Sequence, residues 1–115
     1  MLSVLKQRGI TDKRILLAFQ HVERKRFIQG KDPYADRPQP ISHGQTISQP
    51  YIVAYMLEEL DVKKSDHVLE VGVGSGYVVA LLTQLAHSVV GTEIIDELYE
   101  KAQHTLGELE LEGLI

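Results

Sequence analysis

Residues 67–77 read HVLEVGVGSGY, and their reading decides the fold. Val68, Leu69 and Val71, with Glu70 among them, make a short and mostly apolar run, as a strand in a parallel sheet requires. Gly72, Gly74 and Gly76 follow directly, ahead of a helical pattern. In a strand-to-helix turn, Gly72 permits the sharp reversal and Gly74 lets a ligand approach the backbone with no Cβ in the way. The helix start beyond supplies free N–H groups. The spacing is G-x-G-x-G, distinct from the G-x-G-x-x-G fingerprint of dinucleotide sites. A tight turn that binds nothing also uses glycines, so the triplet alone does not assign a ligand.

Downstream, Val78, Leu81, Leu82 and Leu85 predict a helix over 77–87, and SVVGTE predicts a second strand over 88–93. Asp96 is the expected cap of a last helix through Leu98, Ala102, Leu106 and Leu109. The order from His67 is β-α-β-α, the opening unit of a doubly wound sheet with right-handed crossovers. Glu93 ends the second strand roughly 20 residues past the glycine turn, where an acidic side chain accepts hydrogen bonds from ribose hydroxyls. An exposed strand-end carboxylate is the plainer alternative. Its place at the carboxyl edge of the sheet favours a nucleoside ligand, and Glu70 can face the same crevice.

Upstream of a polar turn at 63–66, Ile52, Val53, Met56, Leu57 and Leu60 form the apolar face of another helix. Ser48 is its expected N-cap, with Pro50 in the first turn. Gly30, Pro33, Pro38, Pro40, Gly44 and Pro50 punctuate residues 30–50, so a long loop without regular structure is expected there. A loop of this length in a compact domain is usually functional or disordered. Tyr34 and Ile41 give it something to pack with, which favours order. Its last part, ISHGQTISQP (41–50), offers His43, Gln45, Thr46, Ser48 and Gln49 for hydrogen bonding with no firmly charged group. His43 is expected to play a structural part. The first 28 residues read as helical, with Thr11 as an N-cap, Asp12 in the first turn, and Ile15, Leu16, Phe19 and Val22 in one stripe.

The chain has 115 residues, 43% hydrophobic and 24% charged, which suits one globular domain. Its net charge of -4 and pI near 5.7 give no electrostatic footprint for nucleic acid. The cluster Glu23-Arg24-Lys25-Arg26 reads as a solvated helix end. Without cysteine there is no disulfide and no thiolate metal site, and the scattered histidines lack a His-x-x-x-His pair, so no metal is expected. No apolar run is long enough for a bilayer and no signal pattern opens the chain, so a cytoplasmic protein is expected.

VLEVGVGSGY (68–77) resembles motif I of class I S-adenosylmethionine-dependent methyltransferases, and VVGTE (89–93) resembles the strand that follows it. The segment YADRPQPISHGQTISQPYIVAYMLEEL (34–60) is similar to the one preceding motif I in protein-L-isoaspartate (D-aspartate) O-methyltransferases. GQTISQP is far more specific to that family than the glycine turn is, and VERKRFI (22–28) extends the likeness to essentially the whole chain. The resemblance implies an α/β fold: N-terminal helices and an active-site loop over 1–50, then the first βαβα unit of a Rossmann-like methyltransferase sheet over 51–115. It implies S-adenosyl-L-methionine as cofactor, with Gly72, Gly74, Gly76, Glu93, Gln45, Thr46 and Ile47 holding it. Ser48 falls at the position usually assigned to the active site. The implied activity is methylation of the α-carboxyl of L-isoaspartyl residues, and of D-aspartyl side chains, in damaged proteins.

Val73 stands where Thr is common in the family, and Thr92 and Ile94 flank Glu93 less typically. The larger departure is length. Family members run on for roughly as long again, and this sequence stops at LEGLI, where a third strand should begin. An incomplete sheet is expected to leave an exposed edge and an uncovered face, so that the isolated chain self-associates, is partly molten or needs a partner. A fragment that binds nucleotide without catalysis, or a class I methyltransferase with another substrate, are the other readings.

Methyl transfer to a carboxylate needs no strong base, because the acceptor, with an ordinary pKa of roughly 4, is already ionised. Alignment and exclusion of water are what the protein must supply. The Ser48 hydroxyl suits that task, orienting a carboxylate without the tight ion pair that would quench it.

Overall fold

The computed structural model describes residues 1–111 and, as backbone only, 113 and 114. The element order is α1 (Leu2–Gln7), α2 (Lys13–His21), a 3-10 turn (Arg24–Arg26), β1 (Gln39–Pro40), β2 (Thr46–Ile47), α3 (Pro50–Leu60), β3 (His67–Val71), α4 (Tyr77–Thr83), β4 (Ser88–Thr92), α5 (Asp96–Glu108) and β5 (Gly113–Leu114). β3, β4 and β5 form a parallel sheet in that order, with Leu69 opposite Val90 and Val71 opposite Thr92. The expected β-α-β-α unit is present, and a third parallel strand begins within LEGLI. β1 and β2 pair antiparallel as a separate hairpin.

One core joins the two halves. Leu5, Ile15, Phe19, Val53, Leu57, Tyr77, Leu81 and Val89 are all buried in it. Fully burying one such side chain contributes about 1.5–3 kcal/mol, which is why these positions recur at helical spacing. Phe19 and Phe27 both pack on the Tyr77 ring, at 6.1 and 5.6 Å between centroids. Tyr77 opens α4, so the N-terminal helices are docked directly onto the start of the helix that follows the glycine turn.

The N-terminal region is two short helices and a 3-10 turn. The Asp12 side chain, and not that of Thr11, caps α2 by accepting from the Arg14 amide. The Thr11 and Asp12 amides donate instead to Glu58 of α3, at 3.0 and 3.1 Å. Ser48 does not cap α3. Gln49 holds the N-cap position, and Asp36 accepts from the Tyr51 amide at 2.9 Å, from Gln49 Nε2 and from Arg8. Burial pushes the Asp36 pKa up, but these three donors outweigh it and hold the carboxyl below its ordinary value. Asp96 is inside α5 and Ile95 precedes it as N-cap.

The segment 30–50 is also more regular than its composition suggests. The Gln45 amide donates to the Ser42 carbonyl at 3.1 Å across a turn whose central residues, His43 and Gly44, both have positive φ. That pairing of conformations is what a type I′ turn requires. Gly44 accommodates it freely, while a histidine there is uncommon. The His43 ring is anchored by Ser42 Oγ at 3.1 Å and lies 3.6 Å from Glu97 at the start of α5.

Candidate active site

The glycine turn is built as its sequence demands. Gly72, Gly74 and Gly76 have φ of +82, +59 and +92°, a region that side chains with a Cβ rarely enter. The Gly72 and Val73 amides both donate to the Thr92 carbonyl, tying the turn to the end of β4. A Cβ at Gly76 would meet Ala102 Cβ at 3.3 Å, so α5 lies directly against the start of α4. At Gly72 no neighbouring atom of the described residues lies within 4 Å of where a Cβ would stand, which leaves that face of the turn open to a ligand.

Gly91 is a position that motif reading passes over. A Cβ there would meet Val73 Cγ2 at 2.3 Å, so the glycine in β4 is what lets the turn fold back over the sheet. Its only sequence signal is a glycine inside a strand pattern, which often marks a close backbone approach.

Glu93 lies just past β4 and grips the turn. Its Oε1 accepts from the Gly74 amide at 2.7 Å and its Oε2 from the Ile95 amide at 3.0 Å. The Ile95 amide is the main cause holding this carboxyl below its ordinary pKa; burial opposes it, and the Gly74 and Ile94 amides tip the balance further down. Each carboxylate oxygen retains acceptor capacity, so the same group can take ribose hydroxyls while it holds the turn. Glu70 behaves oppositely. Burial alone raises its pKa from 4.5 to about 7, and its Oε2 is buried without a hydrogen-bond partner among the described residues.

A cleft of about 460 Å³ brings the loop and the turn together. Thr46, Ile47 and Ser48 line one side, Gly72 and Gly74 another, and Glu70 and Tyr77 contribute to the wall. Val53, Met56, Leu57 and Leu60 of α3 make the cleft apolar on its far side. Ile47 is buried, whereas Gln45, Thr46 and Ser48 are exposed. Of the residues marked out by sequence, Gln45, Gly76 and Glu93 do not line this cleft. Gln45 hydrogen-bonds the His43 carbonyl at the hairpin turn, and Glu93 holds the Gly74 amide at the cleft's edge of the turn.

One residue read as solvated is the opposite. Arg24 is fully buried, its Nε donating to the Pro33 carbonyl at 2.7 Å and its Nη2 to the Ser48 carbonyl at 3.0 Å. Its guanidinium carbon lies 5.0 Å from the centre of the Tyr77 ring. Burial lowers the pKa of Arg24 against an opposing effect of Tyr77, and pushes the Tyr77 phenol well above its ordinary range. Charge clustering in the sequence hid this, because both carbonyl partners are distant along the chain.

The model of the protein-L-isoaspartate(D-aspartate) O-methyltransferase (PCMT) family matches residues 1–115. Among curated relatives, the protein-L-isoaspartate O-methyltransferase of Methanoculleus marisnigri is 43% identical over 113 residues, covering 96% of this chain and 51% of its own. Protein-L-isoaspartate O-methyltransferase 2 of Pelobacter propionicus is 49% identical over 105 residues, covering 89% of this chain and 47% of its own. The chain thus spans about half the length of the curated relatives it matches. A solved protein-L-isoaspartate O-methyltransferase superposes with a TM-score of 0.87 at 26% identity, covering 98% of this chain and 39% of the other. A beta-aspartate methyltransferase (PCMT) from Plasmodium falciparum, in complex with S-adenosyl-L-homocysteine, superposes with a TM-score of 0.83 at 30% identity, covering 99% of this chain and 60% of the other. The α/β fold, the parallel sheet and the match along every residue lead to one conclusion: this chain belongs to the protein-L-isoaspartate(D-aspartate) O-methyltransferase family.

Proposed function

We propose that the chain carries the cofactor turn and substrate loop of an S-adenosyl-L-methionine-dependent methyltransferase acting on the α-carboxyl of L-isoaspartyl, and D-aspartyl, residues in proteins. The observation that carries this reading is the cleft shared by Thr46–Ile47–Ser48 and Gly72–Gly74. Gly72, Gly74 and Gly76 shape the cofactor turn, Glu93 serves the ribose, and Gln45, Thr46 and Ile47 close over it. The fit to this cofactor rests on the open face at Gly72 and the spare acceptor capacity of Glu93, a carboxyl held ionised. When bound, the cofactor supplies an electrophilic methyl group on a sulfonium.

The chain's own contribution is placement. The hydroxyl of Ser48, exposed and unused in capping α3, is available to orient an incoming carboxylate. Val53 and Leu57 of α3, buried in the cleft wall, give that carboxylate an apolar surface to lie against, which lowers its solvation. No proton need be removed from an acceptor that is already ionised. The division taken here is 1–50 for the helical region and loop and 51–115 for the cofactor part, in a cytoplasmic protein with neither nucleic acid nor a membrane as partner. No helix among the described residues is long and apolar enough to cross a membrane.

Labelled methyl transfer to an isoaspartyl peptide, against the same peptide with ordinary aspartate, tests the reading. Transfer to the isoaspartyl peptide alone is expected. Equal transfer to both, or none, argues against it.

A second reading is favoured by a separate observation. Leu69, Val71 and Val90 share one face of the sheet and are 62%, 78% and 44% exposed, with Met56 and Leu60 of α3 also exposed. Among the described residues β3 pairs on one edge only. A chain with that surface uncovered self-associates through it, and light scattering after size-exclusion chromatography is expected to show a mass above that of one chain.

A further inference from the structure

Arg24 is a buried cation on which the Asp36 carboxylate acts only as a lesser influence. No acidic side chain among the described residues forms an ion pair with it. Its donors go to two backbone carbonyls, at Pro33 and Ser48, and its plane lies near the ring of Tyr77. The remaining nitrogen, Nη1, and the Tyr77 hydroxyl are buried with no hydrogen-bond partner of good geometry among the described residues. Desolvating a guanidinium is costly, and two carbonyls and a ring face offset it only while their geometry is kept. Arg24 therefore links three places: the start of the 30–50 segment, residue 48 of the cleft, and the first residue of the helix after the glycine turn.

We propose that Arg24 is a positioning residue that holds the 46–48 strand end at a fixed distance from the glycine turn, through the Ser48 carbonyl, without itself touching substrate. The proposal rests on the reading of that segment as the substrate loop. Lysine cannot substitute. A guanidinium presents its donors as a rigid planar fork, whereas an ammonium is a point donor that reaches one carbonyl or the other. Losing a charged donor to a buried carbonyl is worth about tenfold or more in an equilibrium.

Arg24→Lys separates this from a role in stability alone, read by three measurements on the intact chain. The KM for an isoaspartyl peptide is expected to rise about tenfold. The Kd for S-adenosyl-L-homocysteine is expected to rise by less than the KM, because Thr46 and Ile47 loosen over the cofactor while its turn keeps its own bonds to Thr92 and Glu93. Amide exchange at 46–49 is expected to accelerate while β3 and β4 stay protected. A lowered Tm with unchanged KM and unchanged exchange at 46–49 overturns the proposal, as does acceleration spread evenly over the chain. If the native chain transfers no methyl group, the isoaspartyl reading fails while the exchange pattern still decides the positioning claim. Should Arg24→Lys not fold, Arg24→Gln, which keeps one neutral donor of similar length, is read by the same criteria.

Discussion

The Gly74 amide donates to Glu93 Oε1 at 2.7 Å, so the carboxylate after β4 closes the glycine turn that follows β3. The two strands bring both ends of this contact together at the carboxyl edge of the sheet. A residue proposed to hold the ribose thus also shapes the turn that receives the rest of the cofactor.

Glu93→Gln tests this double use. An amide has one oxygen to accept with and cannot serve both Gly74 and Ile95. The affinity for S-adenosyl-L-homocysteine is expected to fall about tenfold or more by calorimetry, with a small drop in Tm. Unchanged affinity would show that the carboxylate serves neither the turn nor the ligand.

Gly76→Ala is expected to destabilise the fold by about 1–3 kcal/mol, because it forces a side chain into a positive-φ region. Its Cβ also enters at 3.3 Å from that of Ala102. Gly91→Ala should be at least as damaging, since a Cβ 2.3 Å from Val73 Cγ2 forces backbone or side chain to move. Urea denaturation of each variant measures both. A neutral Gly91→Ala would mean that Val73 has room to withdraw.

Glu70 gives the chain a pH dependence of definite sign. Its folded pKa of about 7 lies above the ordinary 4.5, so between those values the folded chain keeps a proton that the unfolded chain has lost. Stability contributed by this group is therefore full below pH 4.5 and is lost as pH rises through 7, by something on the order of 3 kcal/mol. Glu70→Gln, which keeps the shape without the charge, should be more stable than the native chain at pH 8 and close to it at pH 5. Equal stability of the two at pH 8 would mean that the carboxyl is solvated.

Asp36→Asn leaves the cap of α3 weaker by roughly 1 kcal/mol, through loss of charge toward the Tyr51 amide and Arg8. A Tm lowered by a few degrees, with the loss reduced at high salt, is expected from thermal melts.

Much of this was legible in the sequence because it is local. The β-α-β-α order follows from apolar periodicity over a few residues, and the glycines and Glu93 sit at fixed offsets from strand ends. The hairpin over 39–47 left only Gly44 as a signal, since a histidine with φ of +59° has no sequence signature. Ser48 reads as a helix cap because it stands two residues ahead of Pro50 at a helix start, but Asp36, from an earlier loop, accepts from the first-turn amide instead. Arg24 misled for the same reason: its partners at Pro33 and Ser48 are set by tertiary structure, and neighbouring charges along the chain say nothing of them.

The central claim is that the glycine turn binds an S-adenosyl cofactor beside the 45–48 loop. Calorimetric titration of the chain with S-adenosyl-L-homocysteine, alongside Gly74→Val, tests it most directly. The account predicts saturable binding at one site per chain, abolished by a side chain that blocks the turn. Absent binding to the folded native chain, or equal binding by Gly74→Val, would contradict it.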